Sequence, residues 1–518
     1  MNPFNTNNRS SNAIKSSSIG VITNVIKVLM GFGYRTFFLS VLSVAYLGIN
    51  GLFSNILQIL SLAELGVTTA IVFRFYEPIS KGDVAKVGRL MNFFKTVYHA
   101  IAAAIFLIGM LLLPFIPLLI NESDTVPSDI NLYVVYVLYI INTSSTYIFA
   151  YKLSLLNADQ RNYQYSIIDT LINALRYLTQ IVVLYRTANY TLTLTAGIVT
   201  TLVSNYLFSL WVTNEYKEVF EIEEKLEKKD QKEIFRDTKA VMYHKVGNSI
   251  LTGTDSVVLT KMVSLVSAGI YSNYSLVIFS LQGALGQLFS NIISSVGNAK
   301  ISIEKEDYYK LYLRLNFFGL WITSFTTVCL FVAIDDFISV WIGKEYLFDT
   351  ATTAVLCIQY YLQFSSYLSM AFTNASGLFV KDKIRPLIES VINLIVSIVL
   401  AYHLGIIGVF LGTVISDLLT VFWRVPYVLY RYDFHRSTKD YWKQYIPFLV
   451  ITILFCCSYY VTKKRLMWSV NWSALFLELF IVSIVFNAIL FLIFRKKDEF
   501  FFIKELVVRI NSIIAKRN

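Results

Sequence analysis

The stretch "GLFSN" at Gly51–Asn55 returns as "GIYSN" at Gly269–Asn273, 218 residues further along. Glycine, serine and asparagine are kept, and the two positions between them stay apolar or aromatic. Four more echoes follow in chain order: "RLMNFF" at 89–94 and "RLNFF" at 314–318, "TSSTY" at 143–147 and "FSSY" at 364–367, "SIIDTLIN" at 166–173 and "PLIESVIN" at 386–393, "TTLVSN" at 200–205 and "GTVISD" at 412–417. The offsets run between 212 and 225. Five matches in one order make the chain two copies of a unit, and this decides the fold before any helix is drawn. The small residues Gly51, Ser54, Gly269 and Ser272 are expected to let helix backbones pack closely.

The material of that unit is apolar. Of 518 residues, 56% are hydrophobic and 15% charged, against about 25% charged in a soluble protein. Mean hydropathy is +0.58. Apolar runs approach or exceed the ~20 residues that cross a bilayer as a helix. The expected fold is an all-α polytopic membrane protein of about 14 spans, at 17–42, 47–74, 90–118, 130–152, 163–185, 192–214, 239–262, 266–297, 313–341, 351–377, 384–403, 406–430, 444–462 and 471–494. The spans at 17–42 and 239–262 are the most polar. Each copy of the unit contains six spans, an even number, so the two lie parallel, related by a pseudo-two-fold axis along the membrane normal. The expected domains are a six-helix bundle over 1–214, an amphipathic linker over 215–238, a second six-helix bundle over 239–432, helices 13–14 over 433–497 and an amphipathic tail over 498–518.

Charge supplies the orientation. With the N-terminus inside, the inner loops hold about thirty Lys or Arg and the outer loops about six. Both termini are therefore expected in the cytoplasm, with the chain multi-pass in the cell membrane. The pI of 9.1 follows from this topology, so no nucleic-acid partner is inferred. The polar opening "MNPFNTNNRSSNAIKS" reads as no removable signal peptide. Cys329, Cys357, Cys456 and Cys457 lie in apolar segments without metal-ligand spacing, so neither metal nor cofactor is expected.

Ionisable groups at membrane depth mark cavities or partners. Helix one carries Lys27 and Arg35 near one stripe with Asn24 and Gly31. Helix two carries Glu64. Helix five presents Asp169, Asn173 and Arg176 on one face, and helix eleven repeats the pattern with Glu389 and Asn393. Helix seven aligns His244, Asn248, Thr252 and Asp255, with Lys245 beside them. These groups suggest a wet, partly cationic lumen. Lys27, Arg35, Arg176, His244, Lys245 and Asn248 are the candidate contacts to a substrate's phosphate or sugar. Glu64, Asp169, Asp255 and Glu389 are candidates for ion coupling or gating. Structural readings stand beside these: snorkelling for Lys27 and Lys245, pairing within the bundle for Arg35 and Glu64, and inner-end packing for Asp169 and Glu389.

The run "FFLSVLSVAYLGINGLFSNILQILSLAELGVTTAIVFRFYEPISKGD" and the later "YKLSLLNADQRNYQYSIID" resemble the Gram-positive branch of the Wzx-type polysaccharide flippases, within the multidrug/oligosaccharidyl-lipid/polysaccharide (MOP) exporter superfamily. The resemblance implies two six-helix bundles in a V-shaped, MATE-like arrangement plus two C-terminal helices. It implies passage of a lipid-linked oligosaccharide from the inner to the outer leaflet for surface polysaccharide biosynthesis. Membrane lipids are its surroundings, and glycosyltransferases and a polysaccharide polymerase its neighbours in the pathway. It also implies that basic lumenal groups meet the lipid phosphate, a role Lys27, Arg35, Arg176 and Lys245 would fill; Lys and Arg are the natural charge partners of phosphate.

The runner-up is a multidrug or cation antiporter on the same scaffold, suited by the acids Glu64, Asp169 and Asp255. A membrane glycosyltransferase or polymerase is disfavoured by short outer loops, where only Asp335–Asp336 and Glu122–Asp124 pair carboxylates. No catalytic residue is assigned. No GxxxxGK[ST] motif supports an ATP-driven pump.

Overall fold

The computed structural model describes residues 9–61, 67–121, 126–378, 381–466 and 470–500, with side chains described outside 9–14, 17, 67–71, 237–252, 288, 290–299, 301–302 and 464–466. Among the described residues all regular structure is helical. The helices are α1 (Arg9–Val41), α2 (Val44–Leu60), α3 (Val67–Lys81), α4 (Val84–Leu112), α5 (Leu132–Ala158), α6 (Asn162–Thr187), α7 (Tyr190–Glu215), α8 (Lys217–Phe220), α9 (Lys228–Met262), α10 (Leu265–Ser302), α11 (Lys305–Trp341), α12 (Thr350–Ser365), α13 (Tyr367–Ala375), α14 (Arg385–Leu404), α15 (Ile406–Leu419), α16 (Val421–Leu429), α17 (Lys439–Leu466) and α18 (Trp472–Phe494). Nine helical segments among the described residues are long and apolar enough to cross a membrane, and Val44–Leu60 is a shorter apolar helix. The chain is a polytopic, all-α membrane protein.

Local chemistry sets the helix ends. Asp83, Asn131, Asn189, Asp349 and Asn471 each accept a backbone N–H of the following first turn, capping α4, α5, α7, α12 and α18. The Asp349 carboxyl lies in the loop before α12. Burial pushes its pKa up, but the Thr352 hydroxyl and the N–H groups of Thr352 and Ala351 outweigh that and hold it below the usual range. The α6–α7 turn passes through Ala188 at φ 47°, and the α14–α15 turn passes through Gly405 at φ 61°. Ala188, with ψ 25°, is a left-handed helix stop, whereas Gly405, with ψ −132°, takes a conformation open essentially to glycine alone.

The chain divides into two compact units, Met1–Ser272 and Asn273–Asn518. In the first, one core gathers Phe38, Leu52, Phe53, Tyr136, Ile140 and Tyr190 from α1, α2, α5 and α7. A second gathers Phe75, Phe94, Tyr98, Tyr151, Leu155 and Tyr216. The linker segment packs on α4: Asn92 donates to the Ile222 carbonyl at 2.6 Å, Arg89 pairs with Glu224 at 2.8 Å, and a Cβ on Gly88 would lie 2.5 Å from Ile222 Cβ. From Lys228 the chain then runs as one helix, α9, into the seventh expected span. In the second unit, Tyr312, Phe372, Tyr430 and Phe434 interlock, with ring centroids 5.0–5.8 Å apart.

The repeated pentapeptides mark a close crossing inside the first unit. A Cβ added to Gly269 would lie 2.2 Å from the Val44 carbonyl oxygen, and one on Gly48 would lie 2.1 Å from that of Leu265. Val44-xxx-Gly48 and Leu265-xxx-Gly269 thus grip each other reciprocally, as small residues do where helix backbones approach in lipid. Gly51 departs from the expectation of close packing. A Cβ on Gly51 would meet nothing within 4 Å, and Gly48, one turn earlier, makes the contact instead. In the second unit, Gly408 and Gly412 press α15 onto α14, 2.1 Å from the Leu400 carbonyl oxygen and 2.2 Å from Ser397 Oγ by the same measure.

Candidate functional site

A partly exposed polar ladder in the first unit runs along α1 and α6. Three contacts fix their pairing. The Tyr163 N–H donates to Ser16 Oγ at 3.2 Å, Lys27 Nζ pairs with Asp169 Oδ2 at 2.6 Å, and the rings of Tyr34 and Tyr177 stack at 4.8 Å. Rising numbers on both helices mean that they run parallel, as first and fifth spans should.

On α6, Asn173 donates to the Asp169 carbonyl and to Asp169 Oδ1, at 2.7 and 3.2 Å. Arg176 Nη2 donates to Asn173 Oδ1 at 2.8 Å, and its guanidinium lies 4.9 Å from the centre of the Tyr177 ring. The buried Arg176 Nε has no hydrogen-bond partner among the described residues. On α1, one turn beyond Gly31, Arg35 Nη1 donates to Ser272 Oγ at 2.7 Å, and Ser272 in turn donates to the Gly269 carbonyl. The serine of "GIYSN" therefore holds a guanidinium next to the close helix crossing. At about 1.5 Å per residue, the ladder from Lys27 to Arg35 rises roughly 12 Å.

The side chains of Lys27 and Asp169 are 33% and 27% exposed, so the pair is not enclosed by the protein. Lys27, Arg35 and Arg176 against Asp169 leave this ladder with a net charge of +2. Such an arrangement can receive a dianion: two forked guanidinium groups and one ammonium offer directed donors, and stacked tyrosines offer a face to a sugar ring or prenyl unit.

The remaining expected residues fall elsewhere. Asp255 is buried on α9, only 4% exposed. The side chains of His244, Lys245 and Asn248 lie outside the described residues, and Glu64 does too. Glu389 is buried in the second unit, where Arg385 Nη1 donates to it and Arg385 Nε donates to Asp382 at 2.6 Å. Asn393 donates to Thr413 at 2.8 Å. The motif shared by α6 and α14 thus has two fates: half-exposed on α6, and enclosed by ion pairs on α14.

Two further ionic groups carried a signal that sequence reasoning left unused. Arg385 and Glu389 share a face of the first turn of α14, and Asp382 reaches Arg385 from the bend just before the helix. Lys463 Nζ reaches Asp336 Oδ2 at 2.6 Å and Glu478 at 4.0 Å, and Tyr459 bonds the same Glu478, tying α11, α17 and α18 together. In the sequence Asp336 stands out only as half of a carboxylate pair. Its neighbour Asp335 accepts hydrogen bonds from Tyr274 and Thr353 at 2.7 and 2.9 Å.

The chain's fold is similar to that of solved transporters. A structure titled lipid II flippase MurJ, in an inward closed conformation, aligns with a TM-score of 0.63 at 15% identity, covering 92% of this chain and 99% of that one. An inward-facing multidrug resistance MATE family transporter of the MOP superfamily aligns with a TM-score of 0.59 at 15% identity, covering 81% and 98%. A point mutant of the Vibrio cholerae MATE transporter VcmN aligns at 0.55 and 12% identity, covering 82% and 99%. No protein-family model matches the sequence, and no curated protein matches it.

Proposed function

We propose that this chain is a flippase, moving a polyprenyl-phosphate-linked oligosaccharide from the inner to the outer leaflet for surface polysaccharide biosynthesis. The observation that carries the proposal is the α1–α6 ladder: three cations against one carboxylate, half-exposed, with a buried guanidinium nitrogen on Arg176 left without a partner among the described residues. A lipid phosphate or diphosphate satisfies both the +2 charge and that unfilled donor. The fold shared with a structure titled as a lipid II flippase supports the same class of cargo. In this reading the lipid tail stays in the bilayer while the sugars cross beside α1, with alternating access exposing the ladder to each side in turn. His244, Lys245 and Asn248 are proposed as further contacts to the cargo on the strength of their sequence spacing alone. Asp169, Asp255, Glu389 and Glu64 serve coupling or gating. Both termini are cytoplasmic, glycosyltransferases act before the chain and a polymerase acts after it.

A second reading, a cation or multidrug antiporter, is favoured by one observation, the buried acid Asp255 on α9. Deleting the gene separates the two. The flippase reading predicts lipid-linked oligosaccharide accumulating on the inner leaflet, with unchanged sensitivity to lipophilic cations. Heightened sensitivity to such cations with no accumulating lipid would overturn it.

A further inference from the structure

Where α14 begins and α15 gives way to α16, the second unit carries a cup of about 370 Å³. Lys381, Lys383, Arg385 and Arg424 line it. Against Asp382 and Glu389, which contact Arg385, and the buried Asp417 beside Glu389, these four cations leave a formal local charge of +1. Arg385 is the anchor. It is only 5% exposed, its Nε and Nη1 bond Asp382 and Glu389, and its Nη2 has no hydrogen-bond partner among the described residues. Arg424 is held nearby, its Nε 3.5 Å from Asp382 Oδ1, and Lys381 Nζ lies 5.5 Å from the centre of the Tyr432 ring.

Apart from the buried Thr420, the rest of the wall is apolar and exposed. Ile384, Ile388 and Leu419 are 56%, 50% and 56% exposed, and Trp423 lies beside them with its indole N–H donating to the Leu419 carbonyl. A tryptophan with a satisfied N–H, bare aliphatic side chains and a buried arginine with a spare donor are what a headgroup and its acyl chains need together at a membrane interface.

We propose that this cup binds the phosphate of an anionic membrane phospholipid, with the acyl chains lying along Ile384, Ile388 and Leu419. The site belongs to the second unit and does not depend on the α1–α6 ladder or on the cargo proposed for it. A free phosphate shares the headgroup chemistry but makes no use of the apolar wall.

The test uses the full-length protein in detergent, titrated with short-chain phosphatidylglycerol or phosphatidylcholine and read by native mass spectrometry. Phosphatidylglycerol is expected to bind in preference to phosphatidylcholine. Lys383→Gln, at an exposed position, should weaken phosphatidylglycerol binding roughly fivefold, and Lys383→Gln with Arg424→Gln about 25-fold. The exposed linker pair Lys225→Gln with Lys229→Gln removes equal charge and should change nothing at this site. Equal binding of the two lipids, or unchanged binding by the single and double variants, overturns the proposal. So does an equal loss in the linker control, or displacement of phosphatidylglycerol by millimolar inorganic phosphate.

Discussion

Alanine at Gly269 and alanine at Gly51 should move stability in opposite directions, although the two glycines open the same repeated pentapeptide. A Cβ on Gly269 would lie 2.2 Å from the Val44 carbonyl oxygen, 2.8 Å from Val44 Cγ2 and 3.1 Å from Gly48 N. Ordinary contact begins near 3.4 Å, so α2 and α10 must part by more than 1 Å, and a backbone carbonyl cannot swing aside as a side chain can. Overpacking of this kind costs about 1–3 kcal/mol, and a backbone clash belongs at the top of that range. Alanine returns about 1 kcal/mol of helix propensity, leaving Gly269→Ala near 2 kcal/mol less stable. Gly51→Ala takes the same propensity gain with nothing within 4 Å to offset it. The two variants should therefore differ by about 3 kcal/mol. Reversible unfolding in mixed micelles, followed by tryptophan fluorescence, reads this directly. Gly48→Ala should resemble Gly269→Ala, and the double variant should cost less than the sum, because one separation relieves both clashes. If Gly269→Ala proves as stable as Gly51→Ala, the reciprocal crossing is wrong.

Further outcomes follow from the ion pairs and from charge. Glu389→Gln leaves the buried Arg385 with one carboxylate fewer and should cost about 3–5 kcal/mol in the same unfolding measurement; a loss under 1 kcal/mol contradicts the enclosed network. Asp169→Asn breaks a pair that is partly exposed, so stability should fall by no more than about 1 kcal/mol. The same change raises the ladder from +2 to +3, and a short prenyl diphosphate titrated at low salt should bind up to about fivefold tighter, with the gain shrinking as salt rises. Cysteine placed at Lys344 should react with an impermeant thiol reagent from outside the cell, while cysteine at Lys228 should not; the reverse pattern inverts the proposed orientation.

Nine of the expected spans were legible because a bilayer demands long apolar stretches, and the two-copy unit is proposed from matching letters that recur in order. The register of the helix crossing was not legible. The letters align Gly51 with Gly269, yet the backbone contact pairs Gly48 with Leu265 and Gly269 with Val44, since which face of α2 meets α10 depends on tertiary packing. The polar stripes of helices one and five could each be read from 100° spacing. Their union through Lys27–Asp169 and Tyr34–Tyr177 could not, because nothing local says which span is the neighbour. Residues 166–173 and 386–393 echo each other in sequence but diverge in surroundings. Arg385 has no basic counterpart on α6, where Tyr165 stands at the corresponding place, so Glu389 is enclosed while Asp169 stays half-open. Ser272 gave no signal of its own beyond packing, since a serine in an apolar helix reads that way until an arginine is found beside it.

The central claim is that the cationic ladder on α1 and α6 carries a lipid-linked phosphate across the membrane. Its most direct measurement is leaflet exchange of a polyprenyl-diphosphate oligosaccharide in proteoliposomes, scored by capture with an external lectin. Wild-type protein should expose the inner-leaflet pool, whereas Lys27→Glu and Arg35→Glu, folded and reconstituted to the same level, should hold exposure at the protein-free rate. Full exchange by both variants would contradict the account.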